Sequence, residues 1–304
     1  MLVVGCGKES SEPPATQAPA AQPAAATPEE PRARCVPVPF AASTPVPEAS
    51  GAAWLELEGT PALVVIGDSG HDGAYGVIDP ESGETRETGK LPLGDGAGED
   101  LEGIAARGGR LHAITSAGWL RSWKRAGDGF ELVAGPYALG PVDLPSRGGI
   151  GDKPPEGTGM VCDARGVNCG RNYEGLCLAE KAFAKGPCVG FAASKADGHL
   201  YCIVEDGERL AVRYAPRIRV TKPGAIADCA FADDGTLWVG SNLFDASQVY
   251  RVDGWQDPEH AEAIPFAKIG IGFSETLAVR GDVIYRMSDT GSAPSLMAKF
   301  RCER

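Results

Sequence analysis

The chain has 304 residues, with 41 Asp and Glu against 29 Lys and Arg, and a formal charge of −12. No basic patch is available to neutralise phosphates, which excludes a nucleic-acid binder. Its 41 Gly and 24 Pro, few aromatics and absence of long helical periodicity point to an all-β chain interrupted by many turns.

The first element is "MLVVGCGK". Val3-Val4-Gly5-Cys6 resembles a bacterial lipobox, with small residues ahead of an acylated cysteine. Only five residues precede Cys6, too few for the apolar core of a signal peptide. The match therefore implies a start placed too late, the alternative being coincidence. Residues 9–34 are rich in Ala, Pro, Thr and Glu and cannot bury enough apolar surface to fold, so they read as a tether. The expected layout is a truncated lipobox at 1–6, a disordered Ala/Pro/Glu-rich linker at 7–50 and one globular domain at 51–304. Lipidated Cys6 would hold the protein in a membrane. Gly7, rather than Asp, after it fits outer-membrane sorting in a Gram-negative envelope.

Eight cysteines remain: Cys35, Cys162, Cys169, Cys177, Cys188, Cys202, Cys229 and Cys302. An even number in an exported domain reads as disulfides. Cys162 and Cys169 lack the CxxC spacing and a nearby His, which disfavours zinc. Cys35 precedes the first expected strand and Cys302 ends the last, so a disulfide between them would latch a closed ring.

From residue 52 on, one grammar repeats: short apolar strand, polar turn, alternating strand, Gly/Ser/Asp loop, third strand. Copies begin near Trp54, at "DLEGIA" (100–105), at "NYEGLCLA" (172–179), at "IADCAF" (226–231) and at "FSETLAV" (273–279). Glu102 to Ser116, Asp228 to Asn242 and Glu275 to Asp289 are each 14 residues apart. In the first copy the same offset pairs Asp68 with Trp54. In the "EGL" copy residues 180–196 read as an insertion, leaving Glu205 or Asp206 as the counterpart. Sheet repeats of roughly 40–50 residues predict a single β-propeller. Five blades are visible, and "FELVAGPYAL" within 130–172 is a candidate sixth.

"DLEGIA", "GRNYEGLCLA" and "SETLAV" resemble the esterase-like, phytase-like β-propeller proteins and the related SdiA-regulated propellers. The resemblance spans about residues 52–304, but only the EGI and EGL strands are specific. It implies exported or envelope-bound propellers, some of them binding calcium. The extra cysteines and short length depart from the pattern.

In a propeller the first strand of each blade lines the axis. Glu102, Glu174, Asp228 and Glu275 are then expected to converge there, joined by Asp68, Asn242 and Asp289. Like charges that close repel unless protonated or bridged by a cation. Ca²⁺, which takes six to eight oxygen ligands, is the expected cofactor, with no other. The competing account is that each acid caps backbone amides between blades.

Catalytic candidates are fewer. His71 would be the general base of a calcium-dependent lactonase-type propeller. Ser69, in "VVIGDSGHDG", resembles a GDSL nucleophile, with His260 as base, Asp257 orienting it and Asn242 in the oxyanion hole. That family is α/β, which the β repeats oppose. The leading expectation is a lipid-anchored, monomeric binding module, taking a small molecule or an envelope protein at the propeller face. A calcium-dependent ester, lactone or phosphoester hydrolase is the alternative, and a GDSL-type esterase a remote third.

Overall fold

The structure, a computed structural model, describes residues 33–142, 159–242 and 247–303. Cys6 and most of the expected linker lie outside these residues. The described chain is all β. It begins with β1 (Arg34–Val38) and β2 (Ser43–Pro47), followed by four blades of four strands each. Blade 1 is β3 (Ala49–Leu57), β4 (Thr60–Gly67), β5 (Ala74–Ile78) and β6 (Thr85–Lys90). Blade 2 is β7 (Leu101–Arg107), β8 (Arg110–Thr115), β9 (Trp119–Ala126) and β10 (Gly129–Ala138). Blade 3 is β11 (Tyr173–Leu178), β12 (Gly190–Ser194), β13 (His199–Asp206) and β14 (Arg209–Arg219). Blade 4 is β15 (Ile226–Phe231), β16 (Leu237–Ser241), β17 (Gln248–Asp253) and β18 (Glu262–Lys268). Blade 5 has only three strands from its own stretch of chain: β19 (Phe273–Arg280), β20 (Val283–Asp289) and β21 (Pro294–Glu303).

The N-terminus completes blade 5. Strand β1 pairs antiparallel along β21, with Cys35 opposite Cys302, and β2 pairs with the start of β21. The Cys35–Cys302 disulfide closes this seam, as the sequence led us to expect. The linker expected over residues 7–50 therefore ends earlier, because 34–38 and 43–47 are strands. Pro37 could sit there because β1 is the outermost strand, where a missing backbone donor breaks no inner ladder. The propeller has five blades. "FELVAGPYAL" supplies β10, the outer strand of blade 2, rather than a sixth blade.

The five inner strands β3, β7, β11, β15 and β19 pack side by side, and β19 returns to β3. Five apolar clusters fill the five gaps between neighbouring blades. Sheets covered on both faces explain the unbroken run Leu63-Val64-Val65-Ile66, every residue of which is fully buried. Burial of each such side chain stabilises by about 1.5–3 kcal/mol. At the rim, β6 alternates half-buried and exposed residues as an edge strand should.

All eight described cysteines pair. Cys188–Cys202 joins β13 to the segment before β12, Cys177–Cys229 staples blade 3 to blade 4, and Cys162–Cys169 closes a loop ahead of blade 3.

Candidate functional site

Every inner strand carries a register irregularity at the same place. Relative to its neighbour, one residue is skipped at Ser50, Glu102, Glu174, Ala227 and Glu275. Such a bulge turns one side chain out of the alternating pattern. The following residue, Gly51, Gly103 or Gly175 in blades 1 to 3, lies where adjacent backbones meet. A Cβ on Gly51 would sit 2.7 Å from the Glu102 carbonyl oxygen, one on Gly175 would sit 2.8 Å from Asp228 Oδ1, and one on Gly103 would run into the Leu176 amide nitrogen. The EGI and EGL motifs thus combine two demands: a redirected acid and a residue without a side chain at a close approach.

This register corrects two equivalences. Asp228 is not the counterpart of the glutamates; it occupies the glycine position one residue later. Its Oδ1 accepts from the Cys229 amide at 2.7 Å and its Oδ2 from Leu277 at 2.9 Å, joining blade 4 to blade 5. Asp228 therefore performs the amide-capping role weighed for the whole set. Burial raises its carboxyl well above the usual carboxylate range despite those two bonds. Trp54 likewise falls at the far end of β3 from Asp68, and Ser50 is the true counterpart. Strand β3 is nine residues long, so its hairpin with β4 exceeds the 14-residue spacing.

The residue just past each second strand or at its end forms the partner set: Asp68, Ser116, Lys195, Asn242 and Asp289. In blade 3 this is Lys195, because residues 190–194 form the second strand instead of an insertion. Glu205 and Asp206 end the third strand, and Glu205 binds Arg107 at 2.9 Å. Lys195 was missed, yet it had a signal. "AASK" aligns with "VGSN" and "RMSD", where a serine ends the strand and a polar residue follows.

Antiparallel order places the starts of the inner strands, the ends of the second strands and the β4–β5 loop at one end of the propeller, here called the mouth. Asp68, Asp100 and Glu102 offer oxygens that all lie within 4.8 Å of one another. Asp100, two residues before Glu102, was not singled out from the sequence. Its Oδ2 accepts from Ser116 Oγ, and its Oδ1 is buried with no hydrogen-bond donor among the described residues unless Asp68 is protonated. The Cys162–Cys169 loop supports this corner: Asn168 N donates to Ser116 Oγ at 2.9 Å and Gly98 N to Ala164 O at 2.7 Å.

Glu174 accepts from Lys195 Nζ at 2.8 Å through Oε2, while its buried Oε1 has no partner among the described residues. The buried Asn242 Nδ2 also lacks a partner among the described residues, and Asp289 Oδ1 accepts from Gly291 N at 2.6 Å. Among the described residues the mouth thus gathers Asp68, Asp100, Glu102, Glu174, Glu275 and Asp289, with the Lys195 ammonium held beside Glu174. Among the described residues, blade 4 brings Ala227 and Asn242 to this end.

The electrostatics follow. Burial, then the charges of Glu174, Asp68, Asp100 and Glu275, push Glu102 well above its ordinary value. Burial pushes Asp68 up to about 7, aided by Asp100 and Glu174 against the Ser69 amide bond. Burial and Glu174 push Glu275 up to about 8, with Lys195 opposing. Burial also raises Asp100 and Glu174. Burial pulls the Lys195 ammonium down, but Glu174, Glu275 and Glu102 together hold it above its ordinary value.

The catalytic candidates separate. Ser69 and His71 lie in the β4–β5 loop at the mouth, where His71 Nε2 meets Glu48 Oε2 at 3.0 Å. Asp257 and His260 pair with each other at 2.9 Å in the β17–β18 connection, at the opposite end. No GDSL triad forms, and the all-β fold is not that family's.

A five-bladed β-propeller with an acidic axial mouth is the class that fold and site define. No protein-family model and no curated protein matches the sequence, so the resemblance to esterase-like and SdiA-regulated propellers extends to fold alone. Among solved structures the chain is similar to the glutaminyl cyclase of Myxococcus xanthus, at 15% identity and TM-score 0.52, over 90% of this chain and 100% of that one. It is also similar to a Thermus thermophilus protein named as a glucose dehydrogenase, at 15% identity and TM-score 0.45, covering 88% and 99%. A Bacteroides uniformis protein named as a 6-phosphogluconolactonase follows at 15% and 0.44, covering 80% and 78%. These are propeller-like proteins carrying enzyme names, and likeness at this identity is likeness of fold.

Proposed function

We propose that the mouth is a divalent-cation site, and that the protein is an exported binding propeller which presents this ion, and ligands held to it, at its axial face. The observation that carries the reading is the Asp68–Asp100–Glu102 cluster, with a buried Asp100 Oδ1 that, among the described residues, has no donor while Asp68 is ionised. Two buried carboxylates and a half-buried third repel one another when ionised, and a cation among them would compensate that charge. The donors are all oxygen, as Ca²⁺ prefers. Ligands on opposite sides of one Ca²⁺, each at about 2.4 Å, stand about 4.8 Å apart, so oxygens no farther apart than that can share one ion. Glu174 and Asn242, each with a buried unpartnered atom, would border the ion, and Lys195 would receive an anionic group of the ligand. Four disulfides support an oxidising compartment, and the Cys6 lipobox supports anchoring in the outer membrane.

The test is calorimetric and thermal. Chelator-stripped protein should bind Ca²⁺, and its melting temperature should rise. At a hundredfold excess over Kd the gain is about 2.7 kcal/mol. Asp100→Asn should abolish the rise. No shift across millimolar Ca²⁺ in the wild-type protein sinks the reading. Phase partition in detergent tests the anchor, since Cys6→Ser should move the protein to the aqueous phase.

A calcium-dependent hydrolase is the second reading, favoured by the His71–Glu48 pair beside the same mouth. A screen of esters, lactones and phosphoesters tests it, with activity required to disappear in His71→Asn.

A further inference from the structure

Below the glycine level the axis opens again, at the end of the propeller opposite the mouth. The second halves of all five inner strands line a cavity of ≈ 290 Å³. No mouth acid contributes to its wall. Its lining is apolar, including Ile104, Leu176, Phe231 and Val279, with Trp54 on one side. The indole is fixed by a bond from Nε1 to the Val279 carbonyl oxygen at 3.0 Å and by edge contact with Tyr285. The charged residues among the described lining stand at the rim: the exposed Glu56, Glu180 and Asp233 against one guanidinium, Arg280, which stacks over Trp54 at 5.2 Å.

We propose that this chamber binds a small aromatic amine, ring inward and ammonium at the acidic rim. Size sets the ring: an apolar cavity of roughly 150 Å³ takes benzene, so this one takes a one- or two-ring body. The apolar wall gives water few partners, so its displacement favours binding. A rigid, preformed indole wall lowers the ordering cost. Charge sets the sign: three carboxylates against one guanidinium attract a cation and repel an anion of the same shape.

Calorimetric titration of the full chain with tryptamine and with indole-3-propionate tests this. Tryptamine should bind, and the carboxylate should bind at least about tenfold more weakly. Glu56→Gln with Glu180→Gln alters two exposed side chains that hold no structural bond, so the fold should persist while most of the amine preference disappears. Ala106→Phe, at a half-buried lining position, should fill the chamber and remove binding of both, with melting checked in parallel. Absence of tryptamine binding at millimolar concentration overturns the proposal. So does wild-type affinity in a folded Ala106→Phe, or an amine preference that survives the double variant. Loss of tryptamine binding in Asp100→Asn would place the amine at the mouth and equally overturn it.

Discussion

Replacing Glu275 by Gln should make the ion-free protein more stable at pH 8, although a native side chain is lost. The side chain is 8% exposed, and its carboxyl is pushed from 4.5 up to about 8, by burial first and Glu174 second. Below pH ~4.5 the folded and unfolded chains both hold the proton, and the group contributes no slope. Between ~4.5 and ~8 the unfolded chain has released it while the folded chain keeps it, so stability falls as pH rises, by about 1.4 kcal/mol per pH unit. The full loss is about 5 kcal/mol, reached near pH 8 and constant above it. Gln carries no titrating proton and removes that slope, at a cost of about 1 kcal/mol for an altered hydrogen bond. The net gain at pH 8 is therefore about 4 kcal/mol, or about 8–16 °C in melting temperature for a domain this size. Melting followed by circular dichroism in chelator, from pH 5 to 8.5, gives the difference curve between wild type and variant. Curves that run parallel across that range refute the buried, protonated Glu275. Saturating Ca²⁺ should flatten the wild-type curve, because the ion takes the place of protons.

Cys35→Ser with Cys302→Ser should destabilise by about 5–6 kcal/mol in the chain-entropy account of a 267-residue separation, read as a lowered denaturant midpoint. Gly103→Ala, whose Cβ meets the Leu176 backbone, should cost about 3 kcal/mol, whereas unchanged stability would contradict the close approach of β7 and β11. Lys195→Gln should tighten Ca²⁺ binding several-fold by removing a competing cation, as measured by calorimetry; weaker binding would place Lys195 on the ion's side of the design. Cys162→Ser with Cys169→Ser should weaken Ca²⁺ binding, since the loop acts on Asp100 through Ser116, and should lower the melting of the ion-free protein by only about 5–10 °C in the chain-entropy account of a separation of 7 residues.

The repeat was readable because each blade buries both faces, which writes continuous apolar runs between Gly and Asp turns. Strand β1 was not readable as a strand. "RCVPVP" carries proline where an inner strand would forbid it, and only the partner β21, at the far end of the chain, makes it one. The mouth was half readable. Glu102, Glu174 and Glu275 stood out through the glycine or threonine that follows them, but an acid one residue out of register, Asp228, looks the same in sequence and points to backbone amides instead. A bulge changes side-chain direction without changing composition, so spacing could not separate the two. Lys195 was hidden by the long connection from β11 to β12, which displaces it beyond the 14-residue interval. Asp100 was hidden by its position outside the strand, where Ser116 and the Cys162–Cys169 loop hold it in place.

The seam at blade 5 also determines how the molecule bears load. Tension applied anywhere ahead of Arg34 reaches β1 at its first residue, and one residue later it passes through the Cys35–Cys302 bond into β21. Strand β1 therefore cannot be peeled from the blade one hydrogen bond at a time. The pull is delivered covalently to a strand paired on both sides, with β1 and β20, so two ladders share the load instead of one. A propeller held by its N-terminus to a moving surface would transmit drag to its whole ring, and a reducing environment would convert the same attachment into a zipper.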